Sequence, residues 1–278
     1  MTNNSIGVIC QLADVLSFGS TRLTELGAEC VQLQCFEPEL FTEENALKVK
    51  AALLGKVRIS SLWAGWSGPQ VWDFTSGPST LGLVPEAYRS MRMKELIKGA
   101  DFAAMLGVKN MATHVGFIPE NPSTKEYRDL CEALRYIVAY CKTKGLNFNF
   151  ETGQETPVTL MRMITDIGED NVGINLDPAN LILYGKGNPV DALDLFRGRI
   201  NGVHVKDADY TASFYHLGEE KVVGEGSVNF PVFLPKLIAQ GYTGDLYIER
   251  EISGDQQITD IKKTFDYVKN LLRQEKDI

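Results

Sequence analysis

Eight short apolar or β-branched runs recur along this chain, each closing near a polar residue and separated from the next by a segment with helical spacing. They are IGVICQL (6–12), CVQLQCF (30–36), VRISSLW (57–63), VKNMATH (108–114), LNFNFET (146–152), VGINLD (172–177), INGVHVK (200–206) and DLYIERE (245–251). Eight is the number of strands that a closed parallel barrel requires, and 278 residues with 44% hydrophobic content are enough to build one. The expected architecture is α/β, a single (β/α)8 TIM barrel over residues 1–278. No sequence repeat, low-complexity tract or Pro/Ser-rich linker marks a domain boundary inside it.

The segments between the runs fit an outer ring of helices. Leu130, Leu134, Ile137, Val138 and Cys141 fall on one helical face, as do Ile258, Ile261, Phe265, Val268 and Leu272. Glycines close helices just before the next strand in LGVKN, KGLNF and QGYTG, where a left-handed position has no Cβ to clash. Two connections are longer than the rest, residues 64–87 and 207–228. Both follow strands and so belong on the C-terminal face, where long aromatic or Gly-rich loops shape a pocket or act as a lid.

Composition narrows the partners. A formal charge of −8 gives no general attraction to phosphate backbones or anionic lipid, which argues against nucleic acid and membrane surfaces. The five cysteines form an odd set without a CxxC pair, which suits reduced thiols. The start MTNNSIGVIC lacks a basic segment followed by a long apolar stretch, and no apolar run reaches ~18 residues. A soluble, cytoplasmic protein is expected.

Chemistry gathers at the ends of the last four runs. Glu151 follows FNF, Asp177 follows INL, His204 follows GV and Glu249 follows LYI, so each interrupts a stretch that is otherwise buried. Taken singly, each is as readily a solvated acid or a hydrogen-bonded core histidine. Taken together they are a set of metal ligands, because an unpaired buried carboxylate costs several kcal/mol and a shared divalent cation compensates three at once. Three carboxylates and one imidazole suit Mn2+, Mg2+ or Co2+ better than a thiolate site would, with Zn2+ less favoured.

The segments FNFET, NLDPAN, GVHVKD, VGEGSVNF and YIERE, in this order and spacing, resemble the xylose-isomerase-like barrel superfamily of sugar isomerases and epimerases over nearly the whole chain. Ketose 3-epimerases and hydroxypyruvate isomerase are its nearest mechanistic analogues. The resemblance implies one divalent ion, Mn2+ first, held by Glu151, Asp177, His204 and Glu249. It also implies acid/base roles for Glu151 and Glu249 on opposite sides of a keto-sugar or polyol ketone, with proton transfer through a metal-stabilised enediolate and no nicotinamide. A small-molecule carbohydrate substrate and a dimeric or tetrameric assembly come with it.

Two positions depart from the epimerases. Asn180 stands where they carry a histidine three residues after the metal-binding aspartate, and Tyr210 where they carry an arginine six residues after the histidine ligand. These departures keep a second outcome open, a lyase or dehydratase acting on an inosose or 3-keto-glycoside at the same metal site. An apurinic endonuclease of the same superfamily needs many histidines, and this chain has three. A non-catalytic sugar-binding barrel is the remaining alternative.

Around the quartet, Asn180, Lys206, His114 and Trp63 are candidate substrate-binding residues. Strand alternation points Lys206 the same way as His204, with an ion pair to a nearby acid as the competing role. His114 is either a ligand or proton donor, or a satisfied core histidine. Trp63 is expected on the pocket wall and Trp72 in packing beneath the loop after strand three. His216 is expected at the surface, Arg250 outside the site, Asn229 as a helix cap and Pro231 in the first turn after it.

Overall fold

In the computed structural model residues 4–274 are described. Ten strands lie among them: β1 (Ile6–Gln11), β2 (Cys30–Cys35), β3 (Arg58–Ala64), β4 (Asn110–Thr113), β5 (Asn147–Glu151), β6 (Val172–Leu176), β7 (Ile200–Val205), β8 (Asp207–Asp209), β9 (Glu219–Lys221) and β10 (Asp245–Ile248). Eight close a barrel in the order β1-β10-β7-β6-β5-β4-β3-β2, and every neighbouring pair is parallel. Each apolar run of the sequence supplies one barrel strand. All but one of the strands are shorter than their runs, β3 being shifted by one residue to end at Ala64: the fourth contributes only Asn110–Thr113, and the eighth stops at Ile248, so Glu249, Arg250 and Glu251 leave the ladder together.

Alternation within the strands sets up everything that follows. Phe148, Phe150, Ile174, Leu176, Val203, Val205, Leu246 and Ile248 are fully buried in the layer between barrel and helices. Their neighbours Asn149, Glu151, Asn175, His204 and Tyr247 therefore point to the barrel axis. The lower interior is polar, not aliphatic. Asn201 Nδ2 donates to Asn149 Oδ1 at 2.7 Å, and Gln32 Nε2 donates to Ser61 Oγ at 2.8 Å and Asn175 Oδ1 at 3.1 Å. Glycine makes the room: a Cβ on Gly173 would stand 2.1 Å from Asn201 Nδ2, and one on Gly202 would stand 2.6 Å from Asn175 Oδ1.

The outer helices bury the faces read from their spacing. In Lys125–Thr143 all five of Leu130, Leu134, Ile137, Val138 and Cys141 are buried, and in Asp255–Gln274 Ile261, Phe265 and Val268 are buried with Ile258 and Leu272 packed beside them. Threonines stop the strand-to-helix loops: Thr124 and Thr156 each accept a hydrogen bond from the backbone N–H three residues on. The glycines ending LG, KG and QG, at 107, 145 and 241, all have positive φ.

The two long connections differ. Residues 64–87 carry a short helix, Gly77–Thr80, and are clamped by the buried guanidinium of Arg92, which donates to the carbonyls of Ser67, Pro69, Thr80 and Gly82 at 2.7–3.2 Å. Residues 207–228 contain the antiparallel ribbon of β8 and β9. The Asp207 carboxylate ties it down, accepting from the backbone N–H groups of Ala208, Gly224, Gly226 and Val228 at 2.9–3.1 Å. Asn229 departs from expectation. It occupies the N-cap place of the helix Phe230–Ala239 at φ 61°, and its side chain makes no capping bond, because a side-chain cap needs an extended residue there. Pro231 does lie in the first turn.

All five cysteines are free thiols, and burial pushes Cys10, Cys35 and Cys141 up to about 12. Among the described residues no helix is long and apolar enough to cross a membrane.

Candidate metal centre

Four neighbouring strands bring Glu151, Asp177, His204 and Glu249 to one point at the C-terminal mouth. Glu151 ends β5, Asp177 follows β6, His204 lies in β7 and Glu249 follows β10. All four are buried, and one ligand atom from each lies within 4.8 Å of the others. The Nδ1 of His204 stands 3.1 Å from Glu249 Oε2, 3.4 Å from Glu151 Oε1 and 3.6 Å from Asp177 Oδ2.

These residues fit a cation by their unused atoms. Asp177 Oδ2, His204 Nδ1 and Glu249 Oε2 are buried and have no hydrogen-bond partner among the described residues. Their other atoms are engaged. Asp177 Oδ1 caps the helix Pro178–Leu183 through the N–H of Asn180 at 2.9 Å. His204 Nε2 lies 2.7 Å from both Gln32 Oε1 and Asn175 Nδ2, amide groups that can receive or supply a proton there, and Nδ1 is the nitrogen turned to the acids. Buried polar atoms left unpaired cost about 1–3 kcal/mol each, and more when charged, so three converging on one point call for a shared partner.

The electrostatics have the same centre. Burial opposes charge on Glu151, yet the positive fields of His114 and His204 outweigh it and hold the carboxyl well below its usual range. Burial likewise opposes charge on His204, but Glu151 and Glu249 hold it well above the ordinary histidine value. Within the chain itself, cationic side chains compensate the acids.

Lys206 is one of them. Its ammonium is buried 3.0 Å from Glu251 Oε1, 3.4 Å from Glu249 Oε2 and 3.6 Å from Asp177 Oδ2. Burial would lower its pKa, but Glu249, Glu251 and Asp177 hold it well above the ordinary lysine value. Alternation does point Lys206 with His204, and the ion pair, one of the two roles open in the sequence, is present. Asn180 bridges the two sides: its Nδ2 donates to Glu151 Oε1 at 3.3 Å and its Oδ1 accepts from Lys206 at 3.5 Å. An amide serves both contacts at once, donating to an acid and accepting from an ammonium.

A cavity of ≈530 Å3 opens beside the centre. Of the quartet, Glu151 and Glu249 line it while Asp177 and His204 stand behind, and Trp63, His114 and Asn180 share the wall. Trp63 donates from its indole nitrogen to Glu151 Oε2, and His114 Nε2 lies 3.1 Å from Glu151 Oε1. Burial would lower the His114 pKa, but Glu151 raises it overall.

Trp72 was expected in packing and is instead on this wall, 38% exposed, its ring 5.1 Å from that of His114. Trp66 takes the packing place, fully buried beneath the Arg92 guanidinium at 5.3 Å. Trp72 packs its ring against both Trp66, at 6.5 Å, and His114, so the loop after β3 contributes to the wall as well as to the packing.

Of the remaining expectations, His216 is exposed, and Tyr210 is half exposed with its hydroxyl donating to Gly187 O at 3.3 Å, away from the cavity. Arg250 adjoins the cavity but is engaged elsewhere, with Asp260 at 3.0 Å and Glu220 at 3.1 Å.

Sequence reasoning passed over three residues near the site. Gln154 and Tyr184 line the cavity with the side-chain amide atoms of one and the hydroxyl of the other buried and unpaired among the described residues. Glu155 is 4% exposed, and burial pushes its carboxyl up to about 7. The available signal was position: Gln154 and Glu155 follow Glu151 directly in the loop leaving the C-terminal end of a strand.

Comparison with known proteins agrees with this construction. The family model described as xylose isomerase-like TIM barrel matches residues 21–271. An uncharacterized protein of Methanocaldococcus jannaschii is 25% identical over 198 residues, and the chain spans 64% of that relative's length and 67% of its own. Among solved structures, a xylose isomerase domain protein from Planctomyces limnophilus superposes with a TM-score of 0.90 at 28% identity, covering 99% of each chain. A D-tagatose 3-epimerase-like protein follows at 0.73 and 22% identity over 98% of each chain, a likeness that carries the fold alone. The chain belongs to the xylose isomerase-like TIM barrel family.

Proposed function

We propose that this protein is a divalent-metal-dependent isomerase or epimerase that acts on a keto-sugar or related polyol ketone by moving a proton on the carbon beside the carbonyl. One observation carries the reading: within the converging quartet, the two glutamates face the cavity while the aspartate and histidine stand behind them. Glu151, Asp177, His204 and Glu249 are the residues that would hold the ion, and their hard, oxygen-rich set favours Mn2+, with Mg2+, Co2+ and Zn2+ as alternatives. A bound divalent ion would polarise the carbonyl and its neighbouring hydroxyl, acidify the intervening C–H and lower the cost of the negative charge left on proton loss.

The chain's own groups do the rest. Glu151 and Glu249 present carboxylate oxygens to the cavity, one to take the proton and the other to return it to the opposite side of the same carbon. Trp63 and Asn180 donate to Glu151 and fix its orientation. Lys206 positions Glu249 from behind. His114, Asn180 and the unpaired amide of Gln154 are placed to bind substrate hydroxyls, and the Trp63 and Trp72 rings to cover the apolar side of the sugar. Only protons move, so no nicotinamide takes part.

The test is exchange. With Mn2+-loaded protein and a panel of ketoses in D2O, NMR follows deuterium entering the carbon beside the carbonyl. Wild type is expected to catalyse the exchange, and Glu249→Gln to slow it by ~10²- to 10⁴-fold with sugar binding largely kept. Exchange at an undiminished rate in Glu249→Gln contradicts the proposal. Loss of water or of an aglycone, seen as a mass change in the products, assigns the lyase outcome of the same first step, for which the replacements at Asn180 and Tyr210 are the motive.

A further inference from the structure

The cavity is larger than the proposed reaction needs. A ketohexose has twelve non-hydrogen atoms, and even at the ~30 Å3 that one water occupies in the liquid, each atom counted so, it fills only about two thirds of the ≈530 Å3, whereas the 23 atoms of a disaccharide occupy it fully at about 23 Å3 each. Part of the remainder lies over the β1–β2 side of the mouth, walled by Gln11, Gln34 and Phe36, and part runs behind β1 against Leu23, Leu26 and Ile261. Glu151 receives the Trp63 indole N–H, Trp63 is the register partner of Gln34 in β2, and Gln34 is the register partner of Gln11 in β1. At ~4.8 Å between strands, the wall from Trp63 to Gln11 adds roughly 10 Å beyond the metal centre, the room of a second sugar ring.

The chemistry of that wall is specific. Gln11 Nε2 donates to Gln34 Oε1 at 2.6 Å, which leaves the acceptor of Gln11 and a donor of Gln34 side by side for adjacent hydroxyls. Phe36, 4.8 Å from the Trp63 ring, adds an aromatic surface, and Arg22, held by Gln257 at 2.8 Å, closes the far end near Asp14. An anion is poorly served here. Arg22 faces it with one guanidinium, but Glu249, Glu251 and Asp14 border the region with three carboxylates, while Arg250 is already engaged by Glu220 and Asp260.

We infer that the β1–β2 side of the mouth is a second sugar subsite, so that the substrate is a neutral two-ring glycoside or keto-disaccharide rather than a free or phosphorylated ketohexose. The inference rests on the metal-site reading above and extends it to substrate size and charge. Two glucosylated fructoses bracket the direction in which the second ring leaves the reacting ketose: trehalulose carries it on O1 and isomaltulose on O6.

Titration calorimetry of the Mn2+-loaded full chain with D-fructose, D-fructose 6-phosphate, trehalulose and isomaltulose decides it. The subsite predicts that one of the disaccharides binds at least about tenfold more tightly than D-fructose, that the phosphate does not, and that Gln34→Ala weakens the disaccharide several-fold more than D-fructose. If D-fructose binds and neither disaccharide does better, if the phosphate binds most tightly, or if Gln34→Ala weakens both sugars alike, the subsite is overturned and the metal-site reading stands. If the protein retains Mn2+ but binds none of the four sugars, the proposed function fails and the subsite fails with it.

Discussion

The two sides of the barrel mouth obey the same geometry and hold opposite chemistry. On β5, β6, β7 and β10 the inward positions at the strand ends are Glu151, Asp177, His204 and Glu249, with Lys206 wedged among the acids. On β1, β2 and β3 the corresponding inward positions are Gln11, Gln34 and Trp63. Strand alternation delivers a side chain to the cavity in both cases. The amide side satisfies itself by pairing its neutral groups, whereas the charged side keeps buried atoms that its own residues leave unpaired. A fold can place a polar group anywhere along the mouth, but the demand for a partner is strongest where charges are buried.

Substitutions on the two sides should therefore differ in scale. Lys206→Met leaves Asp177 and Glu249 without their buried cation, and removing one partner of a buried ion pair costs ~3–5 kcal/mol. Urea denaturation of the metal-free protein is expected to show a loss of that order, whereas Gln34→Ala, at a partly exposed neutral amide, is expected to cost less than about 1 kcal/mol. Equal losses would erase the distinction between the two sides.

Glu155 sharpens the comparison at a smaller scale, since it is buried beside the charged side without being one of the ligands. Its carboxyl, raised by burial from 4.5 to about 7, keeps a proton in the folded protein that the unfolded chain releases. Its penalty is absent below pH ~4.5, grows as pH rises, and is complete once pH passes the raised value. Glu155→Gln removes the penalty. Thermal unfolding of the metal-free variant is expected to gain ~1–3 kcal/mol over wild type at pH 8 and almost nothing at pH 4.5. A gain of the same size at both pH values would assign the effect to packing instead.

Much of this was legible before any coordinates. The eight apolar runs specify the barrel because each strand is buried on its helix-facing side, and the polar residue that ends each run marks the mouth. FNFE, INLD, GVH and LYIE placed the quartet, since alternation after a buried aromatic or aliphatic residue leaves only the inward direction. What stayed hidden depends on contacts between distant segments. The ion pair of Lys206 turns on Glu251, 45 positions later, and the place of Trp72 on the wall turns on His114, 42 positions later. The ribbon of β8 and β9 is too short to have a period, and the loop that follows it is fastened back by the Asp207 carboxylate through the backbone N–H groups of Gly224, Gly226 and Val228. The glutamine pair of β1 and β2 carries no signal in the sequence, because nothing in a run of residues records the register that sets Gln11 against Gln34.

The central claim is that the charged side of the mouth is a metal centre, and elemental analysis tests it most directly. Purified protein is incubated with Mn2+, dialysed and assayed beside Glu151→Gln and His204→Ala, with circular dichroism to establish folding. The account predicts about one ion per wild-type chain and none in either folded variant. It also predicts a loss of affinity as pH falls, because the raised His204 must give up its proton before its nitrogen can bind an ion. A wild-type protein that stays metal-free after reconstitution with Mn2+, Mg2+, Co2+ or Zn2+, or folded variants that retain the ion as well as wild type does, would contradict it.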